Sequence, residues 1–465
     1  MNKNIIALYF FSFICLAVCN RVYVHPFNLF ATGQYICDDD TVKEEKELSP
    51  EESTYVPPTT ECSSFTPEWE LIKQKLPNKI QEDTDSYKYI ALLINVLGFR
   101  LYKTSQKQYS SKNLLLSPLS IFETLSIFNM GGSRHTSVDL QKLLGLGKET
   151  DGPKCTSEAD GLKVLATLDQ FVKLFCFSAG DLQIVRSNWI FVDNGISMSD
   201  KFLNGTASFS DLLFVRSVNH STPSTAKSLI NQFVYVRTSG KVRSILKDLD
   251  QSSNLQFGTG IQLTGLWPKN YGWQHTGMMD FWNEQGEKIS VPMMTHTGQF
   301  HYKTDEHKKY SVVKLNVHQN VVMLIIQPVD GNTLHNLESS ISLETLSEWM
   351  NGLSLTHLKL TIPKIDINES YDLKQALKDL KLDIFEKKFA FRKMSKDELT
   401  LGKLLSQVLF ESTTKCDGGQ AHVQQNNDST VEEVTVQNPF LLAVLEKNTK
   451  TVMFFGRIVN PASRT

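Results

Sequence analysis

Residues 113–132 read NLLLSPLSIFETLSIFNMGG. Ser117 followed by Pro118 supplies an N-cap and a proline at the first helical position. The hydroxyl can accept from an amide that has no partner inside the helix, and the proline's missing N–H costs nothing there. The pair Gly131–Gly132 ends the helix. A second short helix follows, through Leu140 and Leu144. Just upstream, SYKYIALLINVLGFRLYKTS (86–105) places Ile90, Leu93, Ile94, Leu97 and Leu101 at helical spacing.

Downstream the pattern changes. YSVVKLNV (310–317), VVMLIIQP (321–328), LKLTIPKI (358–365), FLLAVLE (440–446) and TVMFFGRIV (451–459) are β-branched and aromatic runs bounded by turn residues. Such runs predict strands. Helical segments are predicted near Leu343–Met350 and Tyr371–Leu380. Length alone would suggest about three domains. The irregular alternation of strands and helices, with no internal repeat, predicts instead one α+β body from residue 85 to 465.

Five segments carry a family resemblance. The opening stretch resembles the early helix of serpins. INQFVYVRTSGKVRSIL (230–246) resembles their Asn, aromatic, Val, Thr-x-Gly-Lys segment. VPMMTHTGQFHY (291–302) is similar to their strand with paired methionines, here Met293 and Met294. TIPKIDINESYDLKQALKDL (361–380) resembles their Pro-Lys strand and following helix. NPFLLAVLEKNTKTVMFFGRIVNP (438–461) is similar to their C-terminal strand pair. The resemblance implies a serpin fold: one large domain with a central sheet, surrounding helices, a reactive loop near residues 411–437, and a mobile N-terminal tail ahead of it.

The N-terminus reads as a secretory signal. Lys3 precedes the apolar run IIALYFFSFICLAV (5–18). Small residues Ala17 and Cys19 predict cleavage between Cys19 and Asn20. The run is shorter than the roughly 20 residues a membrane span needs. The expectation is a signal at 1–19, a secreted plasma protein, and no membrane association. Net charge is −2, which leaves no electrostatic footprint for nucleic acid.

The mature chain would then begin Asn20, Arg21, Val22, Tyr23, Val24, His25, Pro26, Phe27, Asn28, Leu29. Pro26 disfavours helix at His25 and keeps the segment extended, as a protease cleft requires. A terminus is also where a protease reaches most easily. This decapeptide resembles a vasoactive peptide hormone whose usual form has Asp at position 20, Ile at 24 and often His at 28. The resemblance implies a prohormone regulating blood pressure and fluid balance. A renin-like aspartic protease would cut Leu29–Phe30. A dipeptidyl carboxypeptidase would then cut Phe27–Asn28 and leave an octapeptide for a G-protein-coupled receptor. Arg21 can pair with a receptor acid, and the Phe27 carboxylate with a cation.

Residues 30–84 read as tail and linker. DDDTVKEEKELSPEESTYVPPTTE (38–61) is acidic and poor in aliphatic residues, so it cannot offset its own ordering entropy. Beyond the signal lie Cys37, Cys62, Cys155, Cys176 and Cys416. An odd number leaves at least one thiol free or paired between chains. In hormone-bearing serpins a disulfide ties the tail to the body. That resemblance implies Cys37–Cys155, with Cys155 in a loop after the second helix, and Cys62, Cys176 and Cys416 as free or buried thiols. Sequons stand at Asn204, Asn219, Asn368 and Asn427.

Inhibitory serpins insert the cleaved loop into the central sheet as a new strand. Here the loop following QVLFE (407–411) carries Lys415, Asp417, Gly418 and Gly419. Burying an unpaired charge is costly, and glycine weakens a strand. A glycan on Asn427 would also resist burial in a sheet. The expectation is a non-inhibitory body. An inhibitor with a divergent loop and a carrier of a small hormone stay open as alternatives. No GxSxG, HExxH or phosphate-binding glycine loop occurs, and the spacing of His296, His301 and His307 fits no helical zinc motif. No enzymatic role, metal or cofactor is expected, and the protein is expected to be a monomer.

Overall fold

The computed structural model describes residues 30–37, 80–146, 155–176, 182–250, 252–265, 273–318, 320–385, 387–412 and 431–462. Three sheets are present among them. A five-stranded sheet has the order β12 (Asp366–Asp372), β13 (Leu401–Glu411), β6 (Leu255–Thr264), β4 (Gln183–Asp193), β5 (Leu213–Val218). A nine-stranded sheet runs β14 (Glu432–Thr435), β11 (Ser354–Pro363), β8 (Lys288–Asp305), β9 (Tyr310–His318), β10 (Val321–Pro328), β15 (Phe440–Glu446), β16 (Val452–Ile458), β2 (Leu114–Leu116), with β7 (Gln274–Trp282) also on β8. The third is a two-stranded ribbon of β1 (Ala31–Cys37) and β3 (Cys155–Ala159).

Nine α-helices are described: α1 (Ile80–Ser105), α2 (Pro118–Gly131), α3 (Arg134–Leu144), α4 (Gly161–Cys176), α5 (Asp200–Thr206), α6 (Pro223–Arg237), α7 (Leu334–Ser339), α8 (Leu343–Met350) and α9 (Lys374–Asp379). None is long and apolar enough to cross a membrane. Helix α2 is the pivot. Ser117 caps it by accepting from the Ser120 amide at 3.3 Å, and every residue except Met130 is buried. Gly131 is required by packing, because a Cβ there would lie 2.3 Å from the Met394 side chain. The helix also carries a charge into the core. Glu123 is fully buried and bonded to Arg186 of β4, with Asn188 donating to it at 3.1 Å. Burial pushes the Glu123 carboxyl upward, against the pull of the Arg186 charge.

The opposite face of the five-stranded sheet is covered by α6. Trp189 of β4 packs there with Ile230 and Val234 of α6 and Leu405 of β13. Gly258 and Gly260 of β6 make room for the indole; a Cβ at Gly260 would approach it to 2.4 Å.

The structure departs from the sequence reading in four places. The segment Ala31–Cys37 is not free linker but strand, because its backbone pairs with β3. Cys155 lies in that partner strand rather than in a loop. The predicted helix from Tyr371 is shorter, since Asp366–Asp372 pairs along its length with β13 before α9 begins at Lys374. The far end of the predicted loop is strand β14, parallel to β11 through pairs such as Leu360 with Val434.

Candidate functional site

The site begins at Phe30, the first described residue and the one that follows Leu29. Its side chain is only 2% exposed and belongs to the main hydrophobic core. Three helices build its seat. From α1, the Tyr89 ring stacks on Phe30 with centroids 6.3 Å apart. The Tyr89 hydroxyl donates at 3.2 Å to the carbonyl of Gly145, the left-handed residue that ends α3. Burial pushes the Tyr89 phenol up to about 12. From α3, the buried Gln141 accepts at 2.7 Å from the amide of Ala159 and so holds β3 in place. At the start of α4, Asp160 does two things. Its carboxylate accepts from the Lys163 amide at 3.0 Å, and its own amide donates to the Phe30 carbonyl at 2.7 Å. Burying one phenylalanine stabilises by about 2 kcal/mol. Phe30 is therefore anchored both by its ring and by its backbone.

Beyond the anchor, the ribbon register is Ala31 to Ala159, then Tyr35 to Ser157, Ile36 to Thr156 and Cys37 to Cys155. Cys37 and Cys155 thus occupy paired backbone positions across antiparallel strands. Directly opposed residues in such a pair have Cα atoms about 4.5–5.5 Å apart, inside the roughly 4.4–6.8 Å span a disulfide accepts. Cys176 ends α4. Residues Cys19 to Leu29, Cys62, Cys416 and Asn427 lie outside the described residues.

The sequons differ in setting. Asn204 is exposed on α5. Asn219 is exposed in a turn, with its side-chain oxygen accepting from the Ser221 amide at 2.9 Å. Asn368 is half-buried in β12. Its amide nitrogen donates to the Lys241 carbonyl at 3.0 Å, and its oxygen accepts from Gln407 at 2.7 Å. It lines a cleft of about 450 Å³ beside Lys241, Arg243 and Glu411.

The base of the reactive loop is a second place where the chain leaves the body. There β13 and β6 pair in parallel without a break from Leu404 to Glu411. Glu411 bonds Lys241 at 2.6 Å. Ser412 is fully buried; its hydroxyl and amide both donate to the Ile365 carbonyl at 2.9 Å, and the Ile365 amide donates back to the hydroxyl. Lys415, Asp417, Gly418 and Gly419 lie outside the described residues.

His296 sits half-buried against Trp273 and Phe300, with ring centroids 5.8 and 5.6 Å away. Among the described residues no group of three His, Cys, Asp or Glu is placed to hold a metal.

The sequence pattern of the family described as Serpin (serine protease inhibitor) matches residues 93–461. The chain belongs to the serpin family. Within it the chain is angiotensinogen-like: it is 32% identical to angiotensinogen of Bos taurus over 462 residues, 96% of this chain and 95% of that one. Solved structures show the same fold. Thyroxine-binding globulin in complex with thyroxine superposes with a TM-score of 0.68 at 22% identity, over 80% of this chain and 99% of that one. Uncleaved ovalbumin gives 0.69 at 20% identity, over 80% and 100%.

Proposed function

We propose that this serpin is a secreted hormone precursor. A renin-like aspartic protease cuts Leu29–Phe30 and releases the decapeptide Asn20–Leu29. A dipeptidyl carboxypeptidase then removes Asn28–Leu29 and leaves the octapeptide Asn20–Phe27, a vasoconstrictor acting on a G-protein-coupled receptor. The observation that carries the reading is the hormone-like decapeptide at the head of a chain that matches an angiotensinogen over 96% of its length.

The geometry around Phe30 supports a part for the body in that cleavage. Phe30 would be the first residue on the leaving side of the cut. Its anchor fixes the position of the first residue after the bond, so a protease would meet the bond at a defined place. A Cys37–Cys155 disulfide, supported by the opposed register, would hold the far end of the ribbon and set how freely the anchor opens. Non-reducing peptide maps should contain that cross-link; its absence removes the disulfide from the account.

The body itself acts as scaffold rather than inhibitor or enzyme. The closed pairing of β13 with β6 and the charged, glycine-containing hinge both oppose insertion of a sixth strand. Among the described sequons, Asn204 and Asn219 are the ones exposed for glycosylation. The reading is tested by two observations on the secreted protein. N-terminal sequencing should begin at Asn20. Leu29→Asp should abolish decapeptide release by a renin-type protease, because that cleft takes bulky apolar residues on both sides of the cut; release at an unchanged rate would move the scissile bond elsewhere.

A further inference from the structure

The ribbon register holds a mismatch that neither strand needs for its own pairing. From Ala31 to Tyr35 the chain takes four steps along β1, while the partner takes two, from Ala159 to Ser157. Thr32, Gly33 and Gln34 together face Glu158 alone. This is a bulge with two residues in surplus, and a bulge disrupts the ladder locally. It lies between two fixed points. On one side Phe30 is buried and its carbonyl is held by the Asp160 amide. On the other side Tyr35, Ile36 and Cys37 pair in continuous register.

A protease cleft takes its substrate extended, and a chain laddered to its own body cannot also lie in a cleft. Cutting next to Phe30 therefore requires Phe30 to leave its seat. With a regular ladder, that movement would peel the whole of β1 from β3. Two surplus residues supply about 7 Å of extended chain, more than the spacing of about 4.8 Å between neighbouring strands.

We propose that the Thr32–Gln34 bulge is a length reserve. It lets a protease draw Phe30 out of its seat while Tyr35–Cys37 stays paired with Cys155–Ser157. The reserve makes the N-terminal cut a local opening rather than loss of the ribbon. This inference rests on the precursor reading and deepens it.

The test deletes Gly33 and Gln34 in the full secreted chain, so that Thr32 alone faces Glu158. Decapeptide release by a renin-type aspartic protease should fall at least 10-fold in kcat/KM. A free peptide of residues 20–37 with the same deletion should be cut within 3-fold of its parent, which separates tether length from recognition of the deleted residues. Adding Phe30→Ala to the deletion should recover most of the lost rate when each protein is compared with a free peptide of its own sequence. Equal rates for the deleted and parent proteins, or an equal fall in the free peptide, overturn the reserve. If the parent protein itself is not cut, the precursor reading fails instead.

A second measurement needs no variant. Hydrogen exchange of the parent chain bound to a catalytically inactivated protease should show Ala31 losing protection while Ile36 and Cys37 keep theirs. Loss of protection through Cys37 overturns the proposal.

Discussion

Two strands in this molecule lead into segments that a protease can meet, and they are built in opposite ways. At the N-terminus β1 pairs with β3 through a short, bulged ladder, and Phe30 adds a buried ring and a backbone hydrogen bond to the Asp160 amide. At the base of the reactive loop β13 pairs with β6 from Leu404 to Glu411 without a shift. That end is closed by Ser412 and by the Lys241–Glu411 pair. The first hold, the Phe30 anchor, opens by releasing one side chain and one backbone hydrogen bond. The second opens only by separating a parallel ladder in the middle of a sheet. On the proposed reading, this difference lets a cut beside Phe30 open only a local hold, while a cut in the loop would leave the β13–β6 ladder paired.

The largest effect is expected from the support beneath the closed sheet. Glu123→Ala leaves Arg186 buried without its principal partner, and breaking such a pair costs about 3–5 kcal/mol. Thermal unfolding should shift down by several degrees, while release of Asn20–Leu29 at lower temperature should hardly change. A parallel fall in release would mean that the two regions are not independent.

At the other region, Phe30→Ala removes about 2 kcal/mol of burial. If opening precedes the cut, release from the intact protein should rise about 10- to 30-fold relative to a matched free peptide. The matched peptide accounts for the changed residue beside the scissile bond. No gain over the peptide would show that Phe30 does not limit access.

Lys241→Ala should do little. The pair with Glu411 is partly exposed, so its loss is worth at most about 1 kcal/mol. Cleavage within 413–430 should leave the unfolding midpoint where it was in both the parent and this variant. A large rise after the nick would show that the loop inserts and would make the two strands alike.

The smallest effect concerns Tyr89, whose phenol burial raises to about 12. A raised folded value means that the stability this group adds is complete below its unfolded value near 10. That stability is lost as pH rises through about 12. Burial also raises the phenols of Tyr102, Tyr310 and Tyr371, so tyrosinate absorbance should contain a late alkaline component that Tyr89→Phe reduces by one tyrosine. If the variant titrates like the parent, Tyr89 is not buried against Phe30 as described.

Much of this was legible where the chemistry is local. Ser117 and Pro118 announce α2, and the aliphatic and aromatic runs from Tyr310 to Pro328 give β9 and β10. The ribbon was not legible. Ala31–Cys37 has no apolar alternation of its own, and its order comes from a partner more than a hundred residues away. Cys155 looked like loop for the same reason. Strand β12 escaped because DINESYD is polar; only Ile367 and Tyr371 face inward, and the pairing with β13 overrides the local preference. Phe30 was visible only as half of an apolar bond, and nothing in the sequence says that Tyr89 and Asp160 will hold it.

The most direct test of the account is intact-mass analysis of the secreted protein before and after a renin-type aspartic protease. The account predicts two products, the peptide Asn20–Leu29 and a folded body whose new N-terminus is Phe30. An uncut N-terminus, under conditions where a control substrate is consumed, would contradict it.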